Sequence, residues 1–291
     1  MEANNNLNPD DYGAKDIQVL TGLSAVRKKF DVVELYHQMK KGGDPALLSK
    51  ELKIKRRTLA LVKDEGRILS HFPSLEKSKA GILARLRTDR DLILIAQKYD
   101  IYNFSARRLL ELVRKWNSDI QENPLLLINQ EEHDLIIGSL LGDASIRQRE
   151  RNSCLRLSHS IRQRGYIQWK SRILREFEIS EFREVRRKFG NKHSTFIDFA
   201  TKTHPIFNYY RNLFYKNNMK IINKKVLDYL NPRSLAIWIC DDGSFCRTQK
   251  YIILCTNSFN LREHELLKEF FNKQFGLNPA IGFRDKKYYR F

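Results

Sequence analysis

Little in this chain supports a disulfide framework, a zinc site or a membrane span. Its 291 residues include only four cysteines: Cys154, Cys240, Cys246 and Cys255. None forms a CxxC pair and none has histidines at ligand spacing, which argues against structural zinc. Reduced thiols in a cytoplasm-like compartment are the expectation. No stretch has the length and purity to cross a bilayer. The opening MEANNNLNPDD is polar and acidic, where a signal peptide would be basic and then apolar. Acid is also scarce: 34 Asp and Glu against 53 Lys and Arg leave a formal charge of +19. That excess suits a polyanion, nucleic acid before a membrane surface. What is present is a hydrophobic fraction of 42%, enough for real cores in a chain too long for one average domain.

Three segments differ in composition. Residues 1–28 are polar, and YGAKDIQVLTGLSAVRK (Tyr12 to Lys28) resembles the extreme N-terminus of the DNA gyrase B subunit. The likeness stops at Lys28 and nothing of the gyrase ATP-binding core follows, so gyrase activity is not implied. The pattern reads as a host-gene fragment fused in frame to an inserted element. Residues 29–120 are dense in helix formers at helical spacing. PALLSKELKIKRRTLALVKDEG (Pro45 to Gly66) predicts two helices around a turn at Lys53–Lys55, with Arg56 and Arg57 on the outer side of the second. Leu92 to Trp116 repeats the layout, with Arg107 and Arg108 in its second helix. Such helix-turn-helix units place a helix in the major groove; an ordinary basic helical domain is the plainer alternative. Residues 121–291, after the break at Asn123-Pro124, mix helical runs with strand-like pieces such as CLRLSHS (Cys154 to Ser160) and YIILCTNSF (Tyr251 to Phe259).

In this last segment, LAIWICDDGSF (Leu235 to Phe245) is an apolar helical run ending in acids. A carboxylate at a helix C-terminus faces the negative end of the dipole, at about 0.3–1 kcal/mol. LIIGSLLGDASI (Leu135 to Ile146) has the same character, and alignment superposes Asp143 on Asp242. Gly138 and Gly142 in one helix, and Ala236 and Cys240 in the other, recur four apart, spacing that permits close helix packing. If the helices pack, their acids meet. Two unit charges at ~4 Å repel by about 4 kcal/mol at an effective dielectric of 20. A hard divalent ion such as Mg²⁺, held by oxygen ligands, would relieve this and act on a phosphate.

These residues resemble the single-chain, two-motif LAGLIDADG homing endonucleases, with motif copies at Ile136 to Ala144 and Leu235 to Gly243. NNMKIIN (Asn217 to Asn223), DYLNPRSLA (Asp228 to Ala236) and TNSFNLREHELL (Thr256 to Leu267) add to the likeness. The resemblance implies an α+β fold: two pseudo-symmetric αββαββα halves at 121–291, behind a helical domain at 29–120. It implies Asp143 and Asp242 as metal-binding acids, the carbonyls of Gly142 and Asp241 as further ligands, and Lys220 as a basic residue of the site. An internal pseudo-dimer implies a monomer.

Alternation after Asp143 places Arg147 and Arg149 on one strand face. On the returning strand Arg156 opposes Leu155 and Leu157, while REVRRKF and STFIDFATK form a second hairpin carrying Arg183 and Arg187. Such a ribbon would grip phosphates and read guanine edges. After Leu277-Asn278-Pro279 the family continues through further strands and a helix, so the second half is expected to be truncated and its activity at risk. The leading expectation is a Mg²⁺-dependent, site-specific double-strand endonuclease from a mobile intron-like element in a gyrase B gene. An intron reading frame is favoured over an intein, because Lys29 stands where splicing needs Cys or Ser. An RNA maturase acting on intron RNA and a non-catalytic DNA-binding regulator stay open. The compartment expected is the cytoplasm, nucleoid-associated in a prokaryote, with an organelle as the alternative.

Overall fold

The computed structural model describes residues 26–189, 192–284 and 288–291; the gyrase-like stretch, except for its last three residues, lies outside them. The chain separates into two compact units. Of the described residues, one comprises those up to Leu86 together with Leu92–Arg114, and the other Arg87–Asp91 together with those from Lys115 to Phe291.

The first unit is helical: α1 (Val32–Lys40), α2 (Pro45–Glu51), α3 (Arg56–His71) and α4 (Lys77–Leu83). To it are added parts of α5 (Asp89–Lys98) and α6 (Ala106–Glu122). Asp31 and Asp44 cap α1 and α2 by accepting from backbone amides of their first turns. Between α2 and α3 the chain turns through Lys53 in the left-handed region, φ 52°. Gly66 of α3 lets α1 approach closely, since a Cβ there would lie 2.2 Å from the Val32 carbonyl oxygen. Leu59, Val62, Ile68, Leu83, Leu109 and Val113 are fully or almost fully buried in this unit. Arg56 and Arg57 are exposed at the start of α3. Arg107 pairs with Glu111 one turn on at 3.3 Å, and the Arg108 guanidinium stacks 4.1 Å from the Phe104 ring centroid.

The second unit is α+β and repeats one pattern. Helix α7 (Gln130–Leu141) leads into β1 (Ser145–Gln148) and β2 (Ser153–Ser160), then α8 (Arg164–Ile173), β3 (Arg183–Phe189), β4 (Lys192–Ala200) and α9 (Ile206–Phe214). A tight hairpin, β5 (Tyr215–Lys216) and β6 (Met219–Lys220), precedes α10 (Lys224–Asp228). The pattern then resumes with α11 (Pro232–Asp242), β7 (Gly243–Cys246), β8 (Tyr251–Leu254), α12 (Leu261–Phe275), β9 (Gly282–Arg284) and β10 (Tyr288–Arg290). The first half closes a four-stranded antiparallel sheet in the order β1-β2-β4-β3; β7-β8 and β9-β10 are separate two-stranded pieces.

Alternation decides the faces of the larger sheet. Leu155, Leu157, Ile197 and Phe199 are buried on one side, the side on which Ile167 of α8 and Phe207 and Tyr210 of α9 are also buried. Each such side chain contributes about 1.5–3 kcal/mol of burial. One sequence expectation needs correction: the second-half strand stops at Leu254 and does not run to Phe259. Cys255 N donates to the Asp242 carbonyl at 3.1 Å, Thr256 turns inward to His264 at 2.8 Å, and Asn260 caps α12. Residues 87–91 join this unit through Asp91, which is fully buried and accepts from Trp116 Nε1 at 2.8 Å and Thr88 Oγ1 at 2.8 Å. His204 Nε2 lies 2.9 Å from the same carboxylate, and the Ile206 amide donates to His204 Nδ1 at 3.1 Å, so Nε2 is the protonated nitrogen.

Candidate active site and nucleic-acid face

The two motif helices, α7 and α11, cross so closely that side chains must be missing. A Cβ on Gly138 would lie 2.3 Å from the Ser234 carbonyl oxygen and 2.8 Å from Ile237 Cβ; one on Gly142 would lie 2.5 Å from Asp241 Cβ. The glycines therefore do what their spacing suggested. Their expected partners do not: Ala236 and Cys240 are exposed, and the contact face of α11 is Ser234, Ile237 and Asp241. That set follows the 3.6-residue period from Ser234, whereas the small residues lie on the next stripe round.

The crossing delivers the acids. Asp143 sits one residue past Gly142, the C-cap of α7, and Asp242 is the last residue of α11. Burial, then the nearby charge of Asp143, pushes the Asp242 carboxyl up to about 7. Lys220, half-buried on β6, donates from Nζ to the Gly142 carbonyl at 2.8 Å. Burial brings its ammonium down to about 8, against the opposing pull of Asp242, Asp143 and Asp241. The structure thus brings Asp143, Asp242, Lys220 and the Gly142 carbonyl to one place.

Three further side chains belong here that sequence reasoning missed. Lys170 of α8 is fully buried and donates to both oxygens of Asp241, at 2.6 and 2.8 Å; the Asp241 side chain is also fully buried. Tyr166, one turn earlier, donates to Asp241 Oδ1 at 2.9 Å. Burial lowers the Lys170 ammonium and raises the Asp241 carboxyl, and each restrains the other. His159, whose side chain is fully buried, has Nδ1 3.3 Å from Asp143 Oδ2 and Nε2 3.9 Å from Asp241 Oδ1. Neither nitrogen makes an aligned hydrogen bond, so proximity is the surer description of both contacts. The signals were available: His159 shares strand parity with Leu155 and Leu157, and Tyr166 and Lys170 are an i, i+4 pair.

Among the described residues, no group of three or more His, Cys, Asp or Glu could hold a metal ion by itself. The donor set still suits a hard divalent cation: two carboxylates, one pushed up by burial and then by the charge of the other, beside backbone carbonyls at two helix ends. The chemistry of the donors fits such an ion.

The polar face of the larger sheet carries the strand arginines. Arg147, Arg156 and Arg183 are exposed and Arg187 is half-buried. Arg149, expected on the same strand face, is instead exposed in the turn beyond Gln148, where β1 ends and the Arg149 amide donates to the Asn152 carbonyl. Arg156 and Arg187 both pair with Asp198 of β4. Arg56, Arg57, Arg107 and Arg108 belong to the other unit.

Two packed motif helices ending in acids, joined to an antiparallel sheet with one basic face, define the LAGLIDADG class of scaffold. The chain belongs to the LAGLIDADG DNA endonuclease family, whose model matches residues 133–291. It is 32% identical over 168 residues to a probable intron-encoded endonuclease 1 of Wickerhamomyces canadensis, covering 55% of this chain and 72% of that one. It is 28% identical over 164 residues to the cytochrome b mRNA maturase bI2 of Debaryomyces hansenii, covering 53% of this chain and 60% of the relative. Among solved structures it is similar to the homing endonuclease I-WcaI bound to its DNA recognition sequence. That match has a TM-score of 0.51 and 26% identity over 60% of this chain and 80% of the other. No helix among the described residues is long and apolar enough to cross a membrane.

Proposed function

We propose that this protein is a site-specific, divalent-metal-dependent double-strand DNA endonuclease that acts as a monomer through its internal pseudo-dimer. The observation that carries the reading is the convergence of Asp143 and Asp242, with Lys220 beside them on the Gly142 carbonyl. Asp143, Asp242 and the carbonyls of Gly142 and Asp241 would hold Mg²⁺, which when bound lowers the pKa of water and neutralises charge developing on phosphate. Lys220 presents a desolvated ammonium, at about 8, toward the same charge. Lys170 and Tyr166 fix Asp241 and with it the last turn of α11. The buried His159 ring lies between Asp143 and Asp241. The strand arginines grip phosphates and read base edges, and Arg56, Arg57, Arg107 and Arg108 bind DNA in their own right as helix-turn-helix elements.

The gyrase-like stretch supports a mobile intron-like element within a gyrase B gene as the source. A Mg²⁺-dependent nicking assay on plasmid carrying an uninterrupted gyrase B site tests the function. Undiminished cleavage by an Asp143→Asn, Asp242→Asn double variant would sink the assignment of those acids. The nucleotide sequence flanking the reading frame tests the source, and the same sequence with the host decides between cytoplasm and organelle. The maturase relative favours a second reading, help with intron splicing. Tight binding to the intron RNA, with no cleavage of any duplex, would replace the first reading by the second.

A further inference from the structure

The basic face of the larger sheet has an acid at its centre. Asp198 of β4 points to the same side as Ser158, directly opposite it in the ladder. Its side chain is only 6% exposed although the surface around it is polar. Ser158 Oγ donates to Oδ1 at 2.6 Å, and Arg156 Nη2 donates to Oδ2 at 2.6 Å. Arg187 Nη2 reaches both carboxylate oxygens at 3.0 Å and Ser158 Oγ at 2.8 Å. The Arg187 guanidinium also lies 4.4 Å from the Phe196 ring centroid. Burial works against ionisation of Asp198, but the hydrogen bonds from Ser158 and Arg156 and the charge of Arg187 prevail and hold its carboxyl below the ordinary range.

Two features set this cluster apart from a surface ion pair. The arginines come from β2 and β3, the strands on either side of β4, and converge on one carboxylate. Each is anchored through Nη2 alone, and the remaining N–H groups, on Nη1 and Nε, make no hydrogen bond among the described residues. An acid on a face that meets a polyanion repels its partner, so its presence calls for a return. Clamping supplies one: a guanidinium tied to Asp198 cannot swing to the nearest phosphate and loses less freedom when it binds. Groups sharing one carboxylate stand a few ångström apart, comparable with the roughly 3.4 Å step along a DNA strand.

Resting on the reading that this face binds duplex DNA, we propose that Asp198 is a specificity-determining positioning residue. It holds Arg156 and Arg187 in fixed poses that donate from their remaining N–H groups to guanine O6 or N7 at neighbouring base pairs in the major groove.

The test uses the full chain and a randomised double-stranded DNA pool, enriched by gel shift without divalent metal, to give base preference at every position. The parent is expected to select two guanines in neighbouring base-pair steps. Asp198→Asn should lower discrimination at those two positions by about 5- to 150-fold, leave the others unchanged, and leave affinity for unselected duplex equal or higher. Arg156→Gln and Arg187→Gln should each flatten one of the two positions, which keeps the idea testable if Asp198→Asn does not fold. A folded Asp198→Asn protein with the parent's full profile would overturn the inference, as would a uniform loss of affinity across all sequences. A parent that binds no duplex at all would overturn the DNA-binding reading, and this inference with it.

Discussion

At their N-termini the two motif helices are near copies, and at their C-termini they are not. Asn129 and Asn231 each accept from a first-turn amide, and Glu132 and Ser234 each answer by accepting from the cap residue's own amide. At the other end α7 offers Gly142 where α11 offers Asp241, and the Asp241 Cβ would collide with any Cβ on its counterpart. Two side chains cannot occupy one crossing, so one helix gives up its own and the other uses the space. Asp241 carries a third acid into a place already holding Asp143 and Asp242, where the helix dipoles also disfavour negative charge. Lys170 and Tyr166 offset it from the first half's own helix α8. Pseudo-symmetry here governs backbone and caps, while charge is balanced asymmetrically.

The largest effect that would break this comparison concerns the acids themselves. Asp143→Asn and Asp242→Asn should each lower plasmid cleavage by about 10⁴-fold, the several kcal/mol expected of metal-assisted charge stabilisation. Without divalent metal they should raise the melting temperature by relieving repulsion. The gain should be larger for Asp242, whose carboxyl is also opposed by burial. Its folded value of about 7 lies above the ordinary 3.8, so the folded state holds that proton more tightly. The resulting stabilisation is complete below about pH 4 and is lost as pH rises through about 7. The melting advantage of Asp242→Asn in EDTA should therefore grow from pH 4 to pH 8, and saturating Mg²⁺ should abolish it. Equal, pH-independent melting curves would show that the acids do not feel each other.

Next in size is the balance at Asp241. Lys170→Met leaves a buried carboxylate without its counter-charge and should cost about 3–5 kcal/mol in chemical denaturation. Adding Asp241→Leu to it should return most of that loss, because apolar replacement of a whole buried pair is often neutral. Failure of the second change to rescue the first would mean that the pair does not act as a unit. Smaller again, Gly142→Ala and Gly138→Ala should cost about 1–3 kcal/mol each by forcing α7 and α11 apart. Ala236→Ser and Cys240→Ser, on the exposed stripe of α11, should stay within about 0.5 kcal/mol. Equal costs for the glycines and the exposed pair would contradict the assigned contact face.

This ranking tracks what could be read from the amino acids. The acids, the glycines and Lys220 were legible because each sits in a local pattern: an apolar run with an acid at its end, small residues four apart, a short matched segment. The partner face of α11 was misread because a helix has several stripes and small residues occupy the wrong one; choosing the stripe needs the neighbouring helix. Lys170 and His159 escaped for a related reason. Each lies on an otherwise ordinary element, and their meeting with Asp241 joins residues 71 and 82 positions apart. The first-half strands were legible through their alternation. The end of β8 was not, since it is set by the Asp242 carbonyl and the His264 ring arriving from elsewhere.

The smallest expected effect sharpens the comparison where the helices are alike. Asn129→Ala and Asn231→Ala each remove an N-cap and should each cost about 1 kcal/mol. They should not be equal. Asn231 Nδ2 also donates to Asp134 Oδ1 of α7 at 2.6 Å, an oxygen shared with Gln130 Nε2 at 2.7 Å. The Asn231 cap is thus also a hydrogen bond between the two helices, worth roughly a further 1 kcal/mol. Asn231→Asp keeps the capping oxygen and loses that donor, placing a second carboxylate against Asp134. If the cap alone matters, Asn231→Asp should match the parent in denaturant titration; if the bond between helices matters, it should be at least as damaging as Asn231→Ala. The second outcome is expected, and it would place the first departure from symmetry at the N-terminal end of the pair as well.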